Sequence, residues 1–260
     1  MDRPQRLVFG TVAEAYDAHR PGYPDELFDH LVALAGADAR VLDAGAGTGK
    51  VAGALAEQGL TGTAVEPDAD MAAVARRGLQ GSGWEVVVGE LETCDVPDGS
   101  FDLFTCGQAW HWIDHERGLE RIRRLLRPGG VAAIFWNRPD FSEVPDLRAE
   151  MDAVYARLAP DMESSLASSA TGSKGVAPPV DPAPEGFTDA VERTYRQVVR
   201  YTSTSWVELL GTHSNHVMLE PHHRAELHGA VGDVIDAHGG AFDLVYRCDA
   251  WVARRVSSSP

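Results

Sequence analysis

Short apolar runs alternate with amphipathic segments through the first half of the chain. The apolar runs predict strands, and the segments between them repeat apolar residues at helical spacing. Predicted strands cover 40–43, 62–66, 84–88, 101–106 and 131–136, and predicted helices cover 25–35, 49–58, 69–77, 115–127 and about 143–159. This alternation predicts an α/β protein with a doubly wound, mostly parallel sheet and right-handed crossovers.

The second half is less regular. Residues 161–186 are rich in Ser, Ala, Pro and Gly, which predicts a mobile loop that could serve as a lid. Two further strands bring the sheet to seven, and two helices between them predict a small helical cap over about 203–238. The later elements are strands at 191–201 and 241–254 and helices at 203–211 and 221–238. We therefore expect a core over 1–140 that includes N-terminal helices, and completion of the sheet plus the cap over 141–260.

A glycine-rich turn follows the first predicted strand. Asp43 stands at the carboxyl end of that strand, and Gly45, Gly47 and Gly49 follow at alternate positions. Glycines allow positive φ and let a ligand approach the main chain closely. The turn therefore predicts a binding site for an adenosyl cofactor at the edge of the sheet.

Counting residues separates this turn from two related motifs. A phosphate-binding P-loop would need glycine and Ser or Thr where Ala44 and Val51 stand, and the dinucleotide fingerprint started at Gly45 would need glycine where Lys50 stands. Asp43 would repel a pyrophosphate but attract a cationic amino-acid group. The spacing therefore disfavours nucleoside triphosphates and dinucleotides.

The second strand adds a matching carboxylate. Glu66 ends that strand, where it can accept hydrogen bonds from both hydroxyls of a ribose. The glycine turn alone is a weak signal, but Asp43 before it and Glu66 after the next strand make it specific.

Together with these motifs, five further segments resemble class I methyltransferases that depend on S-adenosylmethionine. Residues 89–92 and 97–103 resemble the adenine-contacting loop and the strand after it, and 126–131 resemble the turn into the fifth strand. Residues 108–114 and 16–24 resemble a narrower subgroup that includes trans-aconitate methyltransferase-like enzymes. The resemblance is specific over roughly 9–137 and looser over 241–255.

This resemblance implies a Rossmann-like methyltransferase fold, S-adenosylmethionine as cofactor and a small-molecule acceptor. It implies that Glu90 accepts from the adenine amino group while the Leu91 amide meets a ring nitrogen. Gln108 would reach the cofactor from the fourth strand, and Tyr16 and Arg20 would close over its methionine end, with Arg20 pairing a carboxylate.

Two indoles flank an imidazole just after the fourth strand. Trp110, His111 and Trp112 lie where an α/β sheet places its ligand, and aromatic rings exclude water and attract a sulfonium. Trp110 and Trp112 are therefore candidate substrate contacts. His111 is the candidate general base or substrate hydrogen-bond donor, with a structural role as the alternative. If the acceptor is a carboxylate, as the subgroup implies, it is already ionised, and His111 or an arginine would orient it.

Other candidate acceptor contacts lie in the second half. His213 and His216 fall in the predicted cap and are candidates to line the acceptor pocket. Their spacing lacks the i, i+4 geometry of a helical zinc pair, so no metal is expected. Arg138, after the fifth strand, could meet an acidic acceptor or be an ordinary surface arginine.

Composition narrows the class of protein further. The formal net charge of −16 over 260 residues disfavours a nucleic-acid partner, since phosphate binding relies on clustered Lys and Arg. No run of 18 apolar residues occurs, the polar N-terminus does not resemble a signal peptide, and three cysteines lack metal or disulfide spacing. We expect a cytoplasmic monomer or homodimer that does not bind membranes.

The sequence thus predicts methyl transfer from S-adenosylmethionine to a small-molecule carboxylate or hydroxyl. Two alternatives remain, because fold does not fix reaction. The chain could use the same cofactor for cyclisation or elimination, or could be a cofactor-binding module without turnover. The acceptor, and whether oxygen, nitrogen or carbon is methylated, are left open.

Overall fold

A computed structural model describes residues 13–162, 178 and 183–257. Nine helices, one 3-10 turn and seven strands are found in this part of the chain. The helices are α1 (Ala13–His19), α2 (Asp25–Ala35), α3 (Lys50–Glu57), α4 (Ala69–Gly78), α5 (His115–Leu125), α6 (Pro145–Leu158), α7 (Ser203–Leu210), α8 (Ser214–Val217) and α9 (Pro221–Ala237). The strands are β1 (Arg40–Ala44), β2 (Thr61–Glu66), β3 (Trp84–Val88), β4 (Phe101–Gly107), β5 (Leu126–Asp140), β6 (Phe187–Thr202) and β7 (Ala241–Arg255).

The strands form one sheet in the order β3-β2-β1-β4-β5-β7-β6. The pairs β1–β2, β2–β3, β1–β4 and β4–β5 are parallel. The predicted doubly wound, seven-stranded α/β fold is therefore confirmed. The strand order reverses between β1 and β4, and such a reversal opens a crevice at the carboxyl ends of the strands.

The apolar run of β1 reflects burial on both faces of the sheet. Val41 packs with Leu27 and Leu31 of α2 on one side, while Leu42 packs with Phe104 and Ile122 on the other. A strand covered on both sides reads as continuously apolar, without alternation. This is why β1 could be predicted, and it makes its carboxyl end a firm base for a site.

The start of β5 differs from the prediction. The strand begins at Leu126, whereas the sequence predicted helix to 127 and strand from 131. Phe101 pairs with Leu126 but Leu103 pairs with Val131, so β5 bulges outward between these two pairs. Gly129 lies in this bulge with φ +79°. The Pro-Gly-Gly sequence thus makes a bulge inside the strand, since pairing resumes on both sides of it.

The chain divides into two compact units. The sheet unit comprises, of the described residues, 22–137, 178, 183–195 and 248–257, and contains β1 to β4 with α2 to α5. The helical unit comprises 13–21, 138–162 and 196–247, and contains α1 and α6 to α9. The residues predicted to form the cap lie in the helical unit, whereas most of the predicted loop at 161–186 lies outside the described residues.

The helical unit has its own apolar core. Trp206 is buried with its ring 5.0 Å from that of Tyr201 and 5.3 Å from that of Phe242, both edge to face. Leu227 and Val231 of α9 are fully buried in the same cluster. Such a core can hold polar side chains in fixed positions.

Candidate functional site

The turn after β1 has the backbone that its glycines predicted. Gly45, Gly47 and Gly49 have φ values of +65°, +59° and +88°. A Cβ added at Gly45 would overlap the Cβ of Ala109, so the turn lies directly against the segment that follows β4. This open main chain can approach a ligand closely.

Replacing Gly45 with alanine is expected to destabilise the protein by about 1–3 kcal/mol, because the new methyl group overlaps Ala109 and φ is positive. Urea unfolding of the purified protein measures this loss. Gly53→Ala is the matched control, since a Cβ there meets nothing within 4 Å. Equal stability of the two variants would show that the turn does not require glycine at position 45.

Asp43 is fully buried at the end of β1. Its Oδ1 accepts a hydrogen bond from the Thr105 hydroxyl at 2.8 Å, whereas Oδ2 has no donor among the described residues. Burial raises the pKa of Asp43 to about 7, with the Thr105 bond opposing and the negative charge of Glu66 adding to the shift. A buried carboxylate oxygen without a donor is suited to a ligand that brings a positive charge.

Glu66 is tied to the glycine turn. Its Oε2 accepts from the Gly47 amide and its Oε1 from the Asp68 amide, both at 2.8 Å. Burial raises the pKa of Glu66; the two amide bonds oppose this shift, and the charge of Asp68 adds to it. Each carboxylate oxygen can accept a second hydrogen bond, so the predicted contact with two ribose hydroxyls is compatible with this geometry.

Asp68 is a polar residue of this region that the sequence analysis missed. Its Oδ1 caps α4 by accepting from the amides of Asp70 and Met71, while its buried Oδ2 has no donor among the described residues. The sequence could have indicated Asp68, because it directly precedes the predicted helix at 69–77 and Asp is a common N-cap residue. Donors to Asp43, Glu66 and Asp68 are backbone amides and one hydroxyl, so this edge of the sheet favours a cation over a phosphate.

The segment predicted to contact adenine starts beside β2. The Gly89 amide donates to the Glu66 carbonyl at 3.1 Å, which brings the following residues close to the end of that strand. Glu90 is half-buried and its carbonyl accepts from Thr93 and Cys94, while Leu91 is buried. Their predicted contacts with the cofactor stay predictions.

Gln108 has a strained backbone. Its φ of +59° is unusual for a residue with a side chain, and such conformations cost of order 1–3 kcal/mol. Two hydrogen bonds hold it, from its amide to the Phe135 carbonyl at 2.9 Å and from its Nε2 to the Asn137 carbonyl at 3.0 Å. Strain of this kind clusters at functional sites, which supports the predicted role of Gln108 in binding.

The three rings after β4 occupy different environments. Trp110 is fully buried and stacks on His115, with centroids 5.5 Å apart. Trp112 is 41% exposed, and its ring lies 4.6 Å from that of the exposed His111. The direct substrate contact expected of Trp110 is therefore not supported, because packing against α5 leaves its ring no accessible surface.

His111 remains the candidate for chemistry in this segment. Partial desolvation of the ring by neighbouring protein atoms, and then the nearby His115, lower the pKa of His111 below its usual value. The imidazole is therefore neutral at pH 7 and able to accept a proton or a hydrogen bond. Its predicted catalytic role stays a prediction.

The remaining predicted residues lie in the helical unit. Arg20 lies over the Tyr16 ring, 5.1 Å from its centroid, and donates to Thr212. His213 and His216 flank the start of α8, and Arg138 is half-buried near the end of β5. Within the part of the chain that is described, no group of three or more His, Cys, Asp and Glu side chains could hold a metal ion.

Comparison with known proteins indicates one class of enzyme. A family model described as a methyltransferase domain matches residues 42–134, the segment from β1 to β5. A solved structure of a candidate type II methyltransferase from Anaeromyxobacter dehalogenans is 26% identical, with a TM-score of 0.67 over 92% of this chain and 99% of that one.

Two relatives known by sequence match the same region. An uncharacterised methyltransferase of Mycobacterium tuberculosis is 41% identical over 53% of this chain and 55% of its own length. A malonyl-[acyl-carrier protein] O-methyltransferase of Enterobacter lignolyticus is 33% identical over 56% of this chain and 58% of its own. The chain thus spans a little over half the length of these curated relatives. None of the described helices has the length and apolar character needed to cross a bilayer.

Proposed function

Because residues 42–134 form a domain of the class I methyltransferase family, whose cofactor is S-adenosylmethionine, we propose that the chain transfers a methyl group to a small-molecule acceptor. The observation that carries this proposal is the buried Oδ2 of Asp43, which has no donor among the described residues and lies at the end of β1. A buried negative charge beside an open main chain fits a cationic adenosyl cofactor and disfavours an anionic nucleotide.

The residues of the sheet unit divide the binding of the cofactor between them. Glu66 would hold the ribose hydroxyls, and Asp43 the positively charged amino-acid end, with the main chain at Gly45, Gly47 and Gly49 in between. Glu90 and Leu91 would hold the adenine, and Gln108 would contact the cofactor from the end of β4. The bound cofactor supplies an activated methyl group, so the protein mainly has to position and desolvate the acceptor.

For the acceptor we propose a carboxylate or a hydroxyl compound. The name of the Enterobacter relative describes methyl transfer to oxygen, although that similarity covers about half of each chain. The net charge of −16 supports a small molecule over nucleic acid. His111 and Trp112 offer accessible rings beside β4 in the sheet unit.

Replacing His111 with glutamine is expected to lower kcat/KM for the acceptor about tenfold if the imidazole only orients the acceptor, the effect of one lost hydrogen bond. Binding of S-adenosylhomocysteine, measured by calorimetry, should stay unchanged. A general base would instead show a loss of about 10²–10⁴-fold and the disappearance of the acid limb of the pH–rate profile. Unchanged kcat/KM would remove His111 from the site.

The proposed function is tested by incubating the protein with isotope-labelled S-adenosylmethionine and a mixture of small metabolites. The expected result is a product heavier by one labelled CH₂ unit, formed together with S-adenosylhomocysteine. A product without the labelled methyl group would indicate cyclisation or elimination. Tight binding of the cofactor without S-adenosylhomocysteine formation, across a wide panel of acceptors, would indicate a module without turnover.

A further inference from the structure

Arg20, at the end of the N-terminal helix, carries a charge that no described carboxylate neutralises. The side chain is half-buried, its Nε donates to the Thr212 hydroxyl at 2.9 Å, and its guanidinium lies over Tyr16. Thr212 is fully buried and fixed in turn, since its hydroxyl donates to the Leu209 carbonyl at 2.6 Å. The nearby carboxylate on α7, Glu208, pairs instead with His19 at 3.3 Å. Arg20 is thus held in place without a counter-ion from the described residues.

His213, the residue after Thr212, belongs to a cluster of three histidines with His216 and His228. His216 is fully buried, with its Nε2 3.2 Å from the Tyr155 hydroxyl and its Nδ1 2.9 Å from Nε2 of His228. The ring of His213 lies 5.9 Å from that of His216, edge to face. Nδ1 of His213 is buried and has no hydrogen-bond partner among the described residues. A buried polar atom without a hydrogen bond is energetically costly, and a bound ligand can supply the missing hydrogen bond.

The three histidines are neutral at pH 7. Burial lowers the pKa of each, and the charge of Arg20 lowers the pKa values of His213 and His216 further. Arg224 acts in the same direction on His216 and His228, and the pKa of His216 falls to about 3. The hydroxyls of Tyr201 and Tyr246, which hydrogen-bond each other at 3.1 Å, are neutral as well. Arg20 therefore provides a positive charge among uncharged hydrogen-bonding groups.

We propose that Arg20 and His213 bind a small-molecule carboxylate at a site within the helical unit, an inference that goes beyond the proposed function. One guanidinium balances one negative charge and presents a planar pair of N–H groups, which suits a carboxylate better than a phosphate dianion. The contact of Arg20 with the methionine end of the cofactor, which the resemblance implied, stays a prediction and is the alternative to this assignment. That end carries an ammonium beside its carboxylate, and both Arg20 and Arg224 would repel the ammonium.

His216 acts here as a positioning residue. Both of its ring nitrogens are engaged, by Tyr155 and by His228, so its ring cannot turn without breaking a buried hydrogen bond. His213 packs edge-on against this fixed ring. The arrangement holds the His213 imidazole in place for a ligand that also meets Arg20.

The test uses histidine imidazole signals in NMR spectra of the full-length protein saturated with S-adenosylhomocysteine. The probes are benzoate and succinate, with uncharged benzamide as the matched control, and His213→Gln assigns the His213 signal. We expect at least one of the two carboxylates to shift that signal and benzamide to leave it unchanged. Arg20→Gln should weaken carboxylate binding at least tenfold, whereas Arg200→Gln, which removes an exposed ion pair with Asp243, should not change it.

The possible outcomes separate this inference from the proposed function. If wild-type protein binds S-adenosylhomocysteine but neither carboxylate shifts the His213 signal, the carboxylate site is wrong. The same conclusion follows if Arg20→Gln weakens S-adenosylhomocysteine binding as much as carboxylate binding, since Arg20 would then serve the cofactor. Failure of the wild type to bind S-adenosylhomocysteine would contradict the proposed function itself. Arg20→Lys, which keeps the charge but not the planar fork, should show intermediate affinity if Arg20→Gln proves too unstable to study.

Discussion

Replacing Glu66 with alanine is expected to weaken binding of S-adenosylmethionine about hundredfold, or about 2.7 kcal/mol. The proposed contacts are two hydrogen bonds from ribose hydroxyls to a carboxylate, and bonds to charged groups each contribute about 1.5–3 kcal/mol. The change also releases the amides of Gly47 and Asp68, so the glycine turn loses one of its hydrogen bonds to β2 and keeps those from the Gly45 and Ala46 amides to the Val65 carbonyl. Isothermal titration calorimetry with S-adenosylhomocysteine measures the effect without any acceptor.

Two further variants make this result interpretable. Glu57→Ala removes an exposed carboxylate at the end of α3 and should leave the affinity unchanged. Glu66→Gln keeps the shape and one acceptor oxygen, so it should lie between wild type and Glu66→Ala. If Glu66→Ala binds as tightly as Glu57→Ala, the cofactor does not use the end of β2, and our account of the site is wrong.

Binding of S-adenosylmethionine should release a proton from Asp43 below about pH 7. The pKa of Asp43 is raised to about 7 by burial, whereas a bound cation would stabilise the ionised carboxylate and lower that pKa. Affinity should therefore rise with pH, by up to about tenfold per unit below the pKa of the free protein, and level off above it. Calorimetry at about pH 6 in buffers of different ionisation enthalpy counts the released proton.

The raised pKa of Asp43 also makes the stability of the protein depend on pH. Stability falls as pH rises, whereas the affinity for the cofactor rises. The pKa of Asp43 in the folded protein, about 7, lies above its ordinary value of 3.8, so the folded state binds the proton more tightly than the unfolded chain. The contribution of Asp43 to the free energy of unfolding should therefore fall as pH rises from about 4 to about 7.

Asp43→Asn removes the pH dependence of both cofactor affinity and stability. It should weaken cofactor binding at pH 8 by at least about tenfold, since it removes the charge. Asp38→Asn, in an exposed position before β1, is the control. Proton release that persists in Asp43→Asn would assign the titration to another group.

Much of the cofactor site could be predicted because its residues follow one another locally. Asp43 and Glu66 end buried strands, and the glycines between them need positive φ, so the pattern alone places them at one edge of a parallel sheet. Thr105, which donates to Asp43, could not be found in this way, because it lies 62 residues further along the chain. Its hydroxyl matters only once β4 pairs with β1.

The aromatic segment after β4 shows a second limit of the sequence. Trp110 and Trp112 are symmetric about His111 in the chain, yet one is fully buried and the other is 41% exposed. The difference comes from the packing of α5, where a Cβ added at Gly118 would lie 2.8 Å from the Trp110 ring. The interaction of Arg20 with Thr212 spans 192 residues and has no local signature.

The backbone of Gln108 is in the left-handed region, which is strained for a residue with a side chain. Glycine would adopt the same φ with little penalty, but it could not reach across to the Asn137 carbonyl. The side-chain hydrogen bond of Gln108 therefore links the end of β4 to β5. A ligand that accepts a hydrogen bond from the side-chain amide of Gln108 would therefore compete with the Asn137 carbonyl, so binding at the end of β4 would be coupled to the link between β4 and β5.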